Sequence, residues 1–66
     1  MAIHKVIEVL AQSDVSWEHA AQKAVDEASR TVKNIESVYI KEITAAVEDN
    51  KISKYRINAK ITFKVE

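Results

Sequence analysis

From Ile52 to Val65 the chain alternates almost without error. Ser53, Tyr55, Ile57, Ala59, Ile61, Phe63 and Val65 point one way; Ile52, Lys54, Arg56, Asn58, Lys60, Thr62 and Lys64 point the other. Side chains on a strand repeat with period two, so the pattern predicts one long strand with an apolar face and a basic, polar face. At about 3.3 Å per residue it runs roughly 46 Å. That exceeds the width of a globule of this size, so the chain alone cannot cover the strand. Assembly with further copies is the expectation.

Upstream, Ile3 to Leu10 predicts a first strand, rich in β-branched residues but imperfectly alternating. Ala11 to Val15 leads to Ser16, a good N-cap, with Trp17 as the first helical residue and Glu18 where the helix dipole favours negative charge. Trp17, Ala20, Ala21, Ala24, Val25, Ala28, Val32 and Ile35 recur at helical spacing, opposite a face of Gln22, Lys23, Asp26, Glu27, Arg30 and Lys33. The predicted helix is seventeen residues, about 25 Å. Alanine dominates its apolar stripe, which fills space poorly, so the helix must lie very close to what it covers.

A second strand is predicted from Glu36 to about Val47, followed by a tight turn at Asp49-Asn50, residue types that tolerate left-handed backbone. With those two as the loop, Val38 faces Ile61, Ile40 faces Ala59, Glu42 faces Ile57 and Thr44 faces Tyr55, on the side assigned to the helix. On the other side Ser37 pairs with Thr62, Tyr39 with Lys60, Lys41 with Asn58 and Ile43 with Arg56. The predicted fold is therefore α+β, in the order β–α–β–β: a three-stranded antiparallel sheet half-wrapped around one helix.

Sixty-six residues make one domain, 1–66, near the lower size limit for folding unaided. For such chains, lost conformational entropy of about 1.5 kcal/mol per residue nearly cancels apolar burial. Disulfides are excluded because there is no cysteine, and His4 and His19 lack paired ligand spacing for a structural zinc. Oligomerisation is the remaining source of stability. No apolar run approaches the ~20 residues that span a bilayer, and Met1 to Lys5 does not resemble a signal peptide, so a cytoplasmic protein without a membrane partner is expected. Glycine and proline are both absent, which removes phosphate-cradling loops and flexible linkers.

Charge is balanced overall but divided along the chain. Residues 1–50 carry five basic and nine acidic side chains; residues 51–66 carry five basic and one acidic. Basic strand faces could meet nucleic acid or acidic surfaces of neighbouring copies. Nucleic acid needs stacking aromatics among the basic residues. Tyr55 and Phe63 have the opposite parity to Lys54, Arg56, Lys60 and Lys64, which favours the second reading.

The face predicted to carry Ile43, Ala45, Val47 and Ile52 beside Lys41, Arg56 and Lys60 is half aliphatic, unusual for a solvent surface, and reads as an interface or ligand surface. Trp17 reads as a packing anchor. Glu48-Asp49-Asn50 lacks the spacing of a calcium loop and reads as an acidic hairpin tip, so no metal ligands can be named. Ser13, Ser16 and Ser29 stand in no triad pattern legible from sequence, and no enzymatic activity is expected.

The chain resembles the dodecins over essentially its whole length. The likeness rests on Lys5-Val6-Ile7-Glu8, Ser16-Trp17-Glu18, Ala28-Ser29-Arg30-Thr31-Val32, Lys41-Glu42-Ile43, Tyr55-Arg56-Ile57 and Phe63-Lys64-Val65-Glu66, in that order and spacing. The resemblance implies a β–α–β–β protomer, a hollow homododecamer of tetrahedral (23) symmetry, and non-catalytic storage of flavins such as riboflavin, FMN or FAD in stacked pairs. It also implies three pocket positions, and all three depart from the flavin pattern. Ser37 replaces the stacking tryptophan, Arg56 a glutamine that bonds the ring edge, and Thr44 an arginine directed at the phosphate. Tyr39, on the face of Ser37, reads either as a substitute platform or as an interface-packing residue. The missing tryptophan and the Tyr-Arg-Ile stretch resemble the calcium-dodecin subgroup, which implies a flavin-free shell holding calcium or an anion instead.

Overall fold

The computed structural model describes residues 3–65, so Glu66, the end of the last motif, lies outside the described residues. The elements are β1 (Ile3–Ser13), α1 (Trp17–Ala28), β2 (Ile35–Glu48) and β3 (Lys51–Val65). The strands form one antiparallel sheet in the order β1-β3-β2, so the regularly alternating strand sits in the middle. The molecule measures 52 × 19 × 13 Å, its long dimension matching the length expected for β3.

Ser16 caps α1 as expected, accepting the His19 backbone N–H at 3.0 Å. The helix is shorter than the predicted seventeen residues: it has twelve. Past Ala28 the ladder gives way to turns, with Thr31 N–H and Val32 N–H both donating to the Ala28 carbonyl. Ser29 Oγ takes the Asp26 carbonyl at 2.6 Å, the side-chain competition that makes serine and threonine poor helix formers. Asn34, at φ 63°, then reverses the chain in place of the missing glycine. Val32 and Ile35 keep helical spacing in sequence but lie beyond the helix. β1, conversely, runs three residues further than predicted, because Ala11, Gln12 and Ser13 pair with Ile57, Arg56 and Tyr55.

The hairpin turn falls on Asp49 and Asn50, both left-handed at φ 51° and 66°. The predicted register holds for Ser37 to Ile40 and again for Val47 and Glu48. Between these stretches it is displaced by one residue, because Lys41 is an extra residue in a β-bulge and a second irregularity follows Ala46. A one-residue slip exchanges the two faces. Glu42 and Thr44, assigned from sequence to the helix side, pair instead with Asn58 and Arg56 on the other side. Ile43 and Ala45 move the opposite way, opposite Ile57 and Tyr55. The aliphatic patch expected beside Arg56 therefore loses both.

The core is thin. Ala20, Ala24 and Ala28 press onto Ile57, Ala59 and Ile61, supported by Ile7, Val9, Ala11 and Val38. Ile61 is the only large side chain among the described residues that is completely buried. The alanines allow the close approach that the sequence implied, and Trp17 packs edge-on against Tyr55 with ring centroids 4.9 Å apart. Ile40 and Ile43 lie on the helix side of β2, yet both are exposed.

Candidate ligand-binding face

The sheet face away from the helix is built by period two from His4, Val6, Glu8, Leu10 and Gln12 of β1 and their partners Lys64, Thr62, Lys60, Asn58 and Arg56 of β3. β2 contributes Ser37 and Tyr39 before the bulge, and Glu42 and Thr44 after it. All four sequence-predicted site residues, Ser37, Tyr39, Thr44 and Arg56, thus share one face. Thr44 is there only because of the Lys41 bulge, which makes it the direct cross-strand partner of Arg56. The four form two groups: Tyr39 opposite Lys60, and Thr44 opposite Arg56, are four residues apart along β3, roughly 13 Å.

Around Thr44 and Arg56 lies an open cleft of about 480 Å³, which Leu10, Gln12, Glu42 and Asn58 also line. Ser37 and Tyr39 are outside it. Arg56 Nε donates to Gln12 Oε1 at 3.0 Å, which turns the guanidinium toward β1. Glu42, on the β2 side, has no ion pair or hydrogen bond among the described residues. Asn58 Oδ1 is buried and without a partner there. An acceptor left so costs about 1–3 kcal/mol. Leu10 supplies an apolar wall, 80 % exposed.

Other polar contacts tie the same face together across the central strand. His4 Nε2 meets Glu36 Oε1 at 2.9 Å, and Lys41 Nζ approaches Glu8 Oε2 at 3.7 Å. Near the end of β1, Lys54 Nζ donates to Asp14 Oδ1 at 2.5 Å. That hydrogen bond, reinforced by the lysine charge, holds the Asp14 carboxyl below its usual value.

Sequence reasoning missed Glu42, Asn58 and Gln12 as lining residues, because their meeting depends on the bulge and on β1 lying beside β3. It also found no serine–histidine arrangement, yet Ser13 Oγ lies 2.5 Å from His19 Nδ1. Ser13 is buried, and its Oγ also accepts the Val15 N–H at 2.9 Å. The pair fastens the end of β1 to the first turn of α1. Trp17 and Tyr55 are engaged with each other on the helix side, and β3 parity places Phe63 on that side too. Tyr39, 63 % exposed, is the one aromatic side chain of the face. No group of three His, Asp or Glu side chains able to hold a metal occurs among the described residues.

Comparison with known proteins agrees with the fold. The dodecin family model matches residues 3–66. The calcium dodecin of Mycobacterium tuberculosis is 35% identical over 65 residues, spanning 98% of this chain and 92% of that protein. A crystal structure of that calcium dodecin, described as calcium chelating with a novel calcium-binding site, superposes with a TM-score of 0.82 at 37% identity, covering 97% of this chain and 91% of the other. The dodecin of Streptomyces coelicolor shares the fold, with a TM-score of 0.92 at 23% identity over 98% and 93% of the two chains. Sequence, element order and fold thus converge, and the chain belongs to the dodecin family.

Proposed function

We propose that this protein is a non-enzymatic, cytoplasmic holder of a small ligand that works as a shell of twelve copies, with the sheet face as its ligand surface. The observation that carries the reading is the mismatch between core and surface. Among the described residues six small or medium apolar ones are buried, while Ile3, Val6, Leu10, Tyr39, Ile43, Val47 and Ile52 are more than half exposed on a molecule 52 Å long. A monomer rarely presents so much apolar surface to water, and neighbouring copies would cover it. No helix among the described residues is long and apolar enough to cross a membrane.

Flavin does not fit this face well. The ring system needs a flat aromatic surface, and stacking contributes about 1–3 kcal/mol per aromatic contact. Ser37 offers none, and Tyr39 stands away from the cleft. We therefore assign the shell a ligand other than tightly held flavin. Titration of the purified protein with riboflavin and FMN, followed by flavin fluorescence, tests this. No saturable quenching below millimolar concentration is expected, and binding in the micromolar range would overturn it. Ser37→Trp combined with Arg56→Gln should restore quenching.

Calcium is the second reading, favoured by the 35% identity to a protein named calcium dodecin. No three carboxylates or imidazoles converge among the described residues of one chain, so backbone carbonyls or carboxylates of neighbouring copies would complete the site. Calorimetry with calcium, before and after chelation, checks it: saturable uptake supports the reading, and its absence rejects it.

A further inference from the structure

The two ends of the long sheet are opposite in charge. At one end the β2–β3 turn carries Glu48 and Asp49, both exposed, with Lys51 as its single cation. The Asp49 side chain has no ion pair or hydrogen bond among the described residues, and Glu48 has only a long contact, 3.5 Å from Ser53 Oγ. Directly behind the turn, Val47 and Ile52 are cross-strand partners, and both are more than half exposed. The tip is thus an acidic point with an apolar shoulder. At the other end an open pocket of about 460 Å³ lies between β3 and the loop that follows α1. Lys5, Lys33 and Lys64 line it beside Val32, Phe63 and Val65, and no described acidic residue does. Lys5 sits opposite Phe63 in the ladder, and the Lys64 backbone N–H donates to the Asn34 carbonyl at 3.0 Å, which pins the loop to β3. The Lys5 and Lys33 side chains have no ion pair or hydrogen bond among the described residues. The length of β3 separates turn from pocket by roughly 40 Å, so a chain cannot fill its own pocket.

We infer that the acidic turn of one copy seats in the basic pocket of a second copy. Glu48 and Asp49 would meet Lys5 and Lys33, while Val47 and Ile52 would lie against the apolar lining. The charges set which surfaces meet, and the apolar area removed from water supplies the burial. A free anion would match the lysines but leave Val47 and Ile52 in water. A wholly apolar partner would bury the lysines unpaired. Because the contact joins two unlike surfaces, a shell of tetrahedral symmetry closes it as a ring of three or as a reciprocal antiparallel pair. The inference rests on the proposed shell of identical copies and names one of its contacts.

A carbodiimide, which joins a carboxylate to an amine in direct contact, tests this on the unmodified protein, with the particle mass measured on the same sample. Peptide mass spectrometry should find Glu48 or Asp49 linked to Lys5 or Lys33, a link that one chain cannot make across its own length. Since the chain has no cysteine, Glu48→Cys combined with Lys33→Cys gives a second readout. Mild oxidation should join those chains in twos or threes on a denaturing gel, and neither substitution alone should do so. If the double variant does not assemble, the carbodiimide map decides. An intact particle with neither link overturns this inference and leaves the proposed function standing; inorganic phosphate shielding Lys33 from acetylation in that particle would identify a free anion as the occupant instead. A lone chain without links overturns both.

Discussion

The indole N–H of Trp17 donates to the backbone oxygen of Thr44 at 2.9 Å, joining the first residue of the helix to β2 just beyond its bulge. Thr44 faces the cleft with its side chain and the helix with its carbonyl contact, so the packing anchor also fixes a ligand-face residue. Trp17→Phe keeps an aromatic ring against Tyr55 but loses the donor, and should cost about 1 kcal/mol. Trp17→Ala removes the ring as well and should cost about 3 kcal/mol, the lower end for a large aromatic because Trp17 is only half-buried. Urea unfolding of the three proteins at equal concentration measures both.

The hairpin tip makes a separate demand on residue type. Asn50 sits at φ 66°, where a β-branched residue meets its own carbonyl. Asn50→Val should destabilise by about 1–2 kcal/mol, while Asn50→Gly should be neutral or slightly stabilising. The same denaturation experiment ranks them. An equal loss from both would mean that the Asn50 side chain, rather than its backbone angle, secures the turn.

Acid sensitivity should include a contribution from Asp14. Its carboxyl titrates below the ordinary 3.8 because Lys54 donates a hydrogen bond to it and adds a favourable charge. A group with a depressed folded-state value stabilises the fold fully above its unfolded value, and that stabilisation is lost as pH falls through the folded one. The contribution is therefore present at neutral pH and fades below about pH 4. Asp14→Asn should be less stable than the parent at pH 7, with the gap closing toward pH 2. Because the carboxylate is exposed, high salt should narrow the gap as well. Melting temperatures of both proteins over that pH range, at low and high salt, check the sign.

Close approach of the helix rests on alanine. Ala20 has no solvent exposure and lies on Ile57 and Ala59. Ala20→Leu should destabilise by about 1–3 kcal/mol through overpacking, although leucine is nearly as good a helix former. Ile61→Ala, at the one fully buried large side chain among the described residues, should cost about 2–5 kcal/mol. Chemical denaturation and the concentration dependence of the melting temperature show whether assembly is lost with the fold.

Strict alternation made β3 legible, since every second residue from Ser53 to Val65 faces the same way. The turn was legible because Asp49 and Asn50 are among the few types that accept positive φ in a chain without glycine. The bulge was not. Lys41 looks like any strand residue, and nothing in its neighbours shows that it is the extra one. That omission moved Glu42, Ile43, Thr44 and Ala45 to the wrong faces and hid the cleft. The helix end was obscured for a related reason: Val32 and Ile35 continue the helical period, while the carbonyl competition by Ser29 that accompanies the helix end is a matter of geometry. Ser37, Tyr39, Thr44 and Arg56 were found through family resemblance; their shared face emerges only from the register.

Sedimentation velocity at micromolar dilution is the most direct test of the central claim, that this thin-cored protomer keeps its 52 Å sheet folded by packing it against identical copies. The account predicts one folded particle near twelve times the 7.5 kDa chain mass, with no monomer boundary. A well-folded 7.5 kDa species, cooperative in its unfolding, would contradict it.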